Sequence, residues 1–178
     1  MDEIKSNKRP IKTSIEEIIQ YWSVRIDESE LSVDFSEAHE RCWRCGYEIK
    51  LERCHIIPHS LGGQDKAENL VLLCRQCHAE GPNIADPDFF WDWLKAHKAT
   101  FYDTYWTEKG MREYEFIYKK SIMQEFSELH IYEIDSIEKL MKEQFKKASR
   151  HWGQHRMNPA TIAGVLRMAI KKLQNKTE

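Results

Sequence analysis

An α+β fold, with a small hairpin and short helix at its centre and longer helices on either side, is the class this sequence predicts. Three observations carry that reading. Helical periodicity occupies the chain before about residue 28 and again after residue 86. Between them lie an alternating, β-favouring stretch and a short apolar run. Two Cys-x-x-Cys pairs bracket that middle region.

Taken in order, "TSIEEIIQYWSVRI" opens on Ser14 with Glu17 three residues later, and Ile15, Ile18, Ile19, Trp22 and Ile26 recur at helical spacing. This predicts a helix from about 14 to 28 that begins with a capping box. "RCWRCGYEIKLERCHIIP" is a Cys-x-x-Cys-Gly turn leading into a strand through "YEIKLERCHI". "PHSLGGQDKAEN" is a structured turn, "LVLLC" a short buried strand, and "RQCHAE" a short helix stopped by Gly81 and Pro82. Asp86 and Pro87 read as the N-cap and first residue of a helix that aligns Phe90, Trp93, Leu94, His97, Phe101 and Tyr105 and ends at Gly110. A further helix holds Tyr114, Tyr118, Ile122, Phe126 and Leu129, and another holds Ile137, Leu140, Met141, Phe145 and Ala148. Asn158-Pro159 begins the last, with Ile162, Val165, Leu166, Ala169, Ile170 and Leu173. The organisation expected is an N-terminal helical extension over 1–40, a central core over 41–85 and a helical region over 86–178.

The chain has 178 residues, 41% apolar and 11% aromatic, enough to bury one sizeable core or two small ones. The formal net charge of -2 argues neither for nor against a polyanionic partner, so the distribution matters more. Residues 144–178 carry eight Lys and Arg against Glu178 alone. No apolar run approaches bilayer-spanning length and "MDEIKSNKRP" has no apolar signal region, so a cytoplasmic protein without a membrane partner is expected. In a reducing compartment, paired cysteines read as a metal site before they read as disulfides.

Cys42 and Cys45 form one pair, and after a gap of 28 residues Cys74 and Cys77 form the other. Thiolates at that short spacing reach one tetrahedral zinc at about 2.3 Å, and two such pairs close a four-thiolate structural site. The metal would staple a hairpin and helix too small to supply much core of their own.

A structural zinc has no need of His55, Asn69 or His78. "CHIIPHSLGG", "ENLVLLC" and "CHAEGPN", set between two Cys-x-x-Cys knuckles, resemble the HNH endonuclease family, whose ββα-metal fold is named for a His, an Asn and a His in that order. The resemblance spans Arg41 to Asn83. It implies that His55 is the general base for phosphodiester hydrolysis, a role that a neutral imidazole suits at physiological pH. It implies that Asn69 orients that imidazole and that His78 is a ligand of a catalytic divalent ion, Mg²⁺, Mn²⁺ or Zn²⁺. Gly62 and Gly63 would give the loop a tight path and let a nucleic-acid backbone approach. The residue before the base, often a carboxylate or histidine ligand in the family, is Cys54, either a thiolate favouring zinc or a small buried apolar residue. Asn83 stands near where some members have another histidine, and it coordinates or caps.

His59 lies in the glycine loop, simply exposed, in contact with phosphate or joining the metal, whereas His97 sits on an aromatic helix face and reads as packed. His130, His151 and His155 have no constellation around them. Arg41, Arg44, Lys50, Arg53 and Arg75 are the basic residues near the motif, offset by Glu48 and Glu52. The basic segment "KKASRHWGQHR" with the last helix is either a track for nucleic acid or a solvated face, and Trp152 within it reads as core before it reads as a base-stacking residue. The function expected is a metal-dependent endonuclease acting on nucleic acid, double-stranded DNA foremost. The competing reading is a zinc-stapled module that binds nucleic acid or protein without cutting. The His55, Asn69 and His78 trio favours the enzyme.

Overall fold

The computed structural model describes residues 10–150, 152, 154 and 156–177, and for Ile134, Lys176 and Thr177 the backbone alone. His151 and His155, and the side chain of Lys176, lie outside the described residues. The chain divides into two compact units, Met1–Asp103 and Thr104–Glu178.

The first unit carries helix α1 (Ile15–Ser23), strands β1 (Leu51–His55) and β2 (Leu70–Cys74), helix α2 (Arg75–Ala79) and helix α3 (Pro87–Ala96). The mixture of helices with one two-stranded antiparallel sheet is α+β. The capping box exists: the Ser14 hydroxyl accepts from the Glu17 amide at 3.1 Å, and the Glu17 carboxylate accepts from the Ser14 amide at 2.6 Å. The helix stops five residues short of the expected end. Arg25 and Ile26 amides both turn back to the Trp22 carbonyl, and Asp27 caps a new 3-10 turn by accepting from Ser29 at 2.9 Å.

β1 and β2 pair with Leu51 opposite Cys74 and His55 opposite Leu70. β1 is shorter than the alternation suggests. Ahead of it only an isolated Arg41–Glu48 bridge forms, because the Tyr47 carbonyl accepts from Cys42 to close the knuckle turn. β2 is buried along its whole length. Trp22 on α1 donates its indole N–H to the Leu70 carbonyl at 2.8 Å and stands edge-on to Trp91 of α3 at 4.6 Å. Both flanking helices thus share the hairpin's core, and the boundary expected near residue 85 falls inside the first unit.

Asp86 caps α3 as anticipated, accepting from Asp88 and Phe89, with Pro87 in the first turn. The long helix expected to run on to Gly110 is broken. The Ser32 hydroxyl draws off the Ala99 amide at 2.8 Å, Tyr47 donates to the Asp103 carbonyl, and Asp103 takes a left-handed φ of 62°. No described helix is long and apolar enough to cross a membrane.

The second unit contains α4 (Tyr105–Tyr118), α5 (Ile122–Glu128), α6 (Ile134–Phe145) and α7 (Pro159–Thr177). Its core joins Tyr105, Trp106 and Tyr114 to Ile122, Phe126 and Leu140, with Ile162, Val165, Leu166, Ala169 and Ile170 of α7. The helix expected to hold both Tyr114 and Phe126 divides at Lys119, where φ is 55°, and Ser121 with Gln124 forms a second capping box that starts α5. Asn158 caps α7 by accepting from Thr161 at 2.8 Å. Gly110 does not end a helix. It lies inside α4, buried, where an added Cβ would sit 2.3 Å from the Ile162 methyl. Gly110→Val is therefore expected to lower stability by about 1–3 kcal/mol, read as a shifted denaturation midpoint at constant slope. Trp152 is also not core; it is fully exposed, at 102%.

Candidate active site

Backbone geometry brings the four paired cysteines together. Trp43, inside the first knuckle, donates its amide to the Leu72 carbonyl of β2 at 3.1 Å, laying that knuckle beside the strand that ends in Cys74. The sulfurs of Cys42, Cys45, Cys74 and Cys77 all lie within 4.8 Å of one another, with Cys45 and Cys74 at 4.0 Å. Sulfurs tetrahedral about a zinc at about 2.3 Å stand about 3.8 Å apart, so this buried cluster can hold a metal such as zinc. None of the four is in a disulfide. The Cys42 sulfur accepts from the Cys74 amide at 3.2 Å, and the Cys74 sulfur from the Cys77 amide at 3.4 Å; Cys42 first, with Cys45 and Cys77, holds the Cys74 thiol far below its ordinary value. Cys42 first, with Cys74 and burial, pushes the Cys45 thiol up, and Cys42 first, with Cys45, Cys74 and burial, pushes the Cys77 thiol up. A cation is what lets such a set ionise together.

A cleft of about 130 Å³ opens at the other end of the hairpin, lined by Cys54, His55, Pro58, His59, His78, Gly81, Pro82 and Asn83. Sequence-predicted residues from β1, its following loop and α2 thus meet in one place. The His55 Nε2 atom is buried and has no hydrogen-bond partner. Burial, then the neighbouring His59 imidazole, lowers its pKa, so the ring is held neutral. The two rings are 6.5 Å apart. His78 approaches through Nδ1, 2.7 Å from a Glu52 carboxylate oxygen. Cys54 is buried, and desolvation pushes its thiol up to about 12, so of the two readings offered by the sequence the small neutral core residue fits better than a ready thiolate.

Residues 40–81 match the family model described as HNH endonuclease. Comparison with curated proteins and with solved structures gives no match. The HNH segment takes in both knuckles, the whole hairpin and α2.

Within the HNH segment, Asn69 has work other than touching the imidazole. Its side-chain oxygen accepts from the Ile57 amide at 2.9 Å, and its nitrogen donates to the Ile57 and Gln64 carbonyls at 3.0 Å each. Its own carbonyl accepts from Ile56 at 2.9 Å. Asn69 thus clamps the chain just after His55 and positions that residue through the backbone. Gly62 closes the 3-10 turn at a φ of 91°, and a Cβ on Gly63 would fall 1.7 Å from the Ile57 carbonyl oxygen. Gly62 thus serves the left-handed turn and Gly63 the close packing against Ile57. Asn69→Ala leaves three backbone groups without their partner, at about 1–3 kcal/mol for each that stays buried. The expected result is a lower melting temperature with unchanged metal content at the four cysteines.

Three basic residues near the HNH segment are occupied by the protein itself. Arg44 is buried, pairs with Glu80 at 2.7 Å and stacks over Trp93. Arg41 donates to the Gly46 carbonyl, and Arg53 donates to the Thr13 carbonyl at 2.9 Å. Lys50 and Arg75 are exposed. In the second unit Lys172 pairs with Glu143 at 2.5 Å and Arg167 lies over Tyr118, so the basic segment is partly neutralised. His97 bonds the Trp93 carbonyl as a packed residue, and His130 is an exposed left-handed turn residue. The partnership of Glu52 with His78 is the contact that spacing did not announce, although Glu52 shares the alternating strand face of Cys54.

Proposed function

We propose that the protein is a metal-dependent endonuclease that hydrolyses phosphodiester bonds, with double-stranded DNA as its substrate. The observation carrying this reading is a cleft where a neutral histidine with a buried, unpartnered Nε2 faces a second histidine anchored on α2. His55 takes the proton from the attacking water, the role a neutral imidazole performs near physiological pH. Asn69 holds the loop that fixes His55 in place. His78 keeps Nε2 for a divalent ion, with Asn83 and His59 lining the same cleft. Such an ion, when bound, supplies Lewis-acid stabilisation of charge on the scissile phosphate and the leaving oxygen. The four cysteines hold zinc and secure the knuckles, β2 and α2 on which the site is mounted, in a reducing compartment such as the cytoplasm.

End-labelled DNA duplex, single-stranded DNA and RNA, each incubated with the zinc-loaded protein and Mg²⁺, Mn²⁺ or Zn²⁺ in turn, test the substrate class. Cleavage of the duplex above the others supports the reading. Faster cutting of RNA would move the substrate assignment, and tight binding with no cutting under any ion would leave a binding module.

A further inference from the structure

We propose that Glu52 is a positioning residue that fixes the tautomer of His78 and thereby makes His78 a ligand. This rests on the reading of His78 as a holder of the divalent ion. Strand alternation puts Glu52 on the same face of β1 as Cys54, two residues before a residue that lines the cleft. The pairing of Glu52 with Leu73 and of Leu51 with Cys74 sets the start of α2 beside β1, and the first turn of that helix carries His78 back over the strand. The result is the 2.7 Å contact between a Glu52 oxygen and His78 Nδ1.

A carboxylate accepts and does not donate when ionised, so the Nδ1 atom in this contact carries the hydrogen. The neutral ring then has its lone pair on Nε2, the nitrogen left for a cation. Without the carboxylate a neutral histidine is free to place its hydrogen on Nε2, which removes the ligand. The negative charge behind the ring also makes Nε2 a stronger donor. Both side chains are part-exposed, at 39% for His78 and 42% for Glu52, and a polar contact so open to water contributes little to folding. Fold stability therefore gives a weak reason for the contact, whereas ligand orientation gives a direct one.

The test uses the full chain with zinc loaded, and Mn²⁺ alone as the probe, titrated by calorimetry into wild type, Glu52→Ala, Glu52→Gln and His78→Ala. Ring nitrogen shifts of ¹⁵N-histidine-labelled protein report the tautomer of His78 independently of activity. The expected outcome is an Nδ1–H tautomer in wild type, its loss in Glu52→Ala, and Mn²⁺ affinity lower by about 10–100-fold at unchanged zinc content and melting temperature. Glu52→Gln, whose amide oxygen still accepts the hydrogen, falls between, and it keeps the test decisive should the alanine variant fold poorly. If His78→Ala loses Mn²⁺ binding while both Glu52 variants keep wild-type affinity and tautomer, the Glu52 proposal is wrong and the His78 reading stands. If His78→Ala binds Mn²⁺ as wild type does, the ligand reading fails and the Glu52 proposal with it.

Discussion

His55→Ala is expected to slow phosphodiester cleavage by about 10²–10⁴-fold, the usual contribution of a positioned general base. Zinc content and melting temperature should not change, because the ring makes no hydrogen bond through its buried Nε2 and its removal orphans no partner there. The pH profile supplies a second reading of the same residue. Burial first, and His59 second, depress the His55 pKa, so the neutral base survives to lower pH than an ordinary histidine near 6.5 would. Cleavage is then lost as pH falls through the depressed value, placing the acid limb of kcat/KM, which reports the free enzyme, below the usual histidine range. Replacing His59 with glutamine removes a neighbouring positive charge and should move that limb upward. A limb at or above the ordinary histidine value in wild type would assign the base elsewhere.

Loss of the zinc site should have the largest effect on structure. Structural zinc contributes about 10–16 kcal/mol of apparent binding free energy in small zinc-stapled domains, comparable with a typical domain's whole stability of about 5–15 kcal/mol. Cys74→Ser, or a strong chelator, is expected to unfold the hairpin and α2, with loss of the near-ultraviolet signal from buried Trp43. The second unit holds no cysteine, and its core around Tyr114 and α7 is apolar, so its helical signal should persist. Calorimetry should therefore separate two transitions, of which the chelator abolishes one. Since His78 follows Cys77 directly, Mn²⁺ binding should vanish with the zinc. A stripped protein that melts as before would show that the cysteines do not staple the fold.

What the sequence made legible was local. Ser14 with Glu17, Asp86 with Pro87, and Asn158 before Pro159 each mark a helix start through bonds within one turn, and each stands where spacing put it. The cysteine spacing likewise pointed to two metal-ready pairs, which the Trp43 amide bond to the Leu72 carbonyl then brings into one cluster. Errors came where distant residues decided the outcome. Gly110 resembles a stop until Ile162 arrives from α7 to need the space, and the helix through His97 breaks because Ser32 and Tyr47 claim the backbone beyond it. In the cleft, His55 and His78 were readable as a pair, but the attachments of Asn69 to Ile57 and Gln64 depend on how a loop folds back. The Glu52 contact depends on strand register and helix placement together. Trp152, read from the sequence as core because an aromatic residue in a helical region is usually packed, instead stands fully exposed.

Conversion of supercoiled plasmid to nicked and linear forms, by wild type and His55→Ala protein of equal zinc content, tests the central claim most directly. Wild type should convert the plasmid only when Mg²⁺, Mn²⁺ or Zn²⁺ is added, and His55→Ala should leave it supercoiled under every ion. Equal conversion by both proteins, or retention of intact plasmid by a well-folded wild type that binds it, would contradict the assignment of His55 as the base of a nuclease.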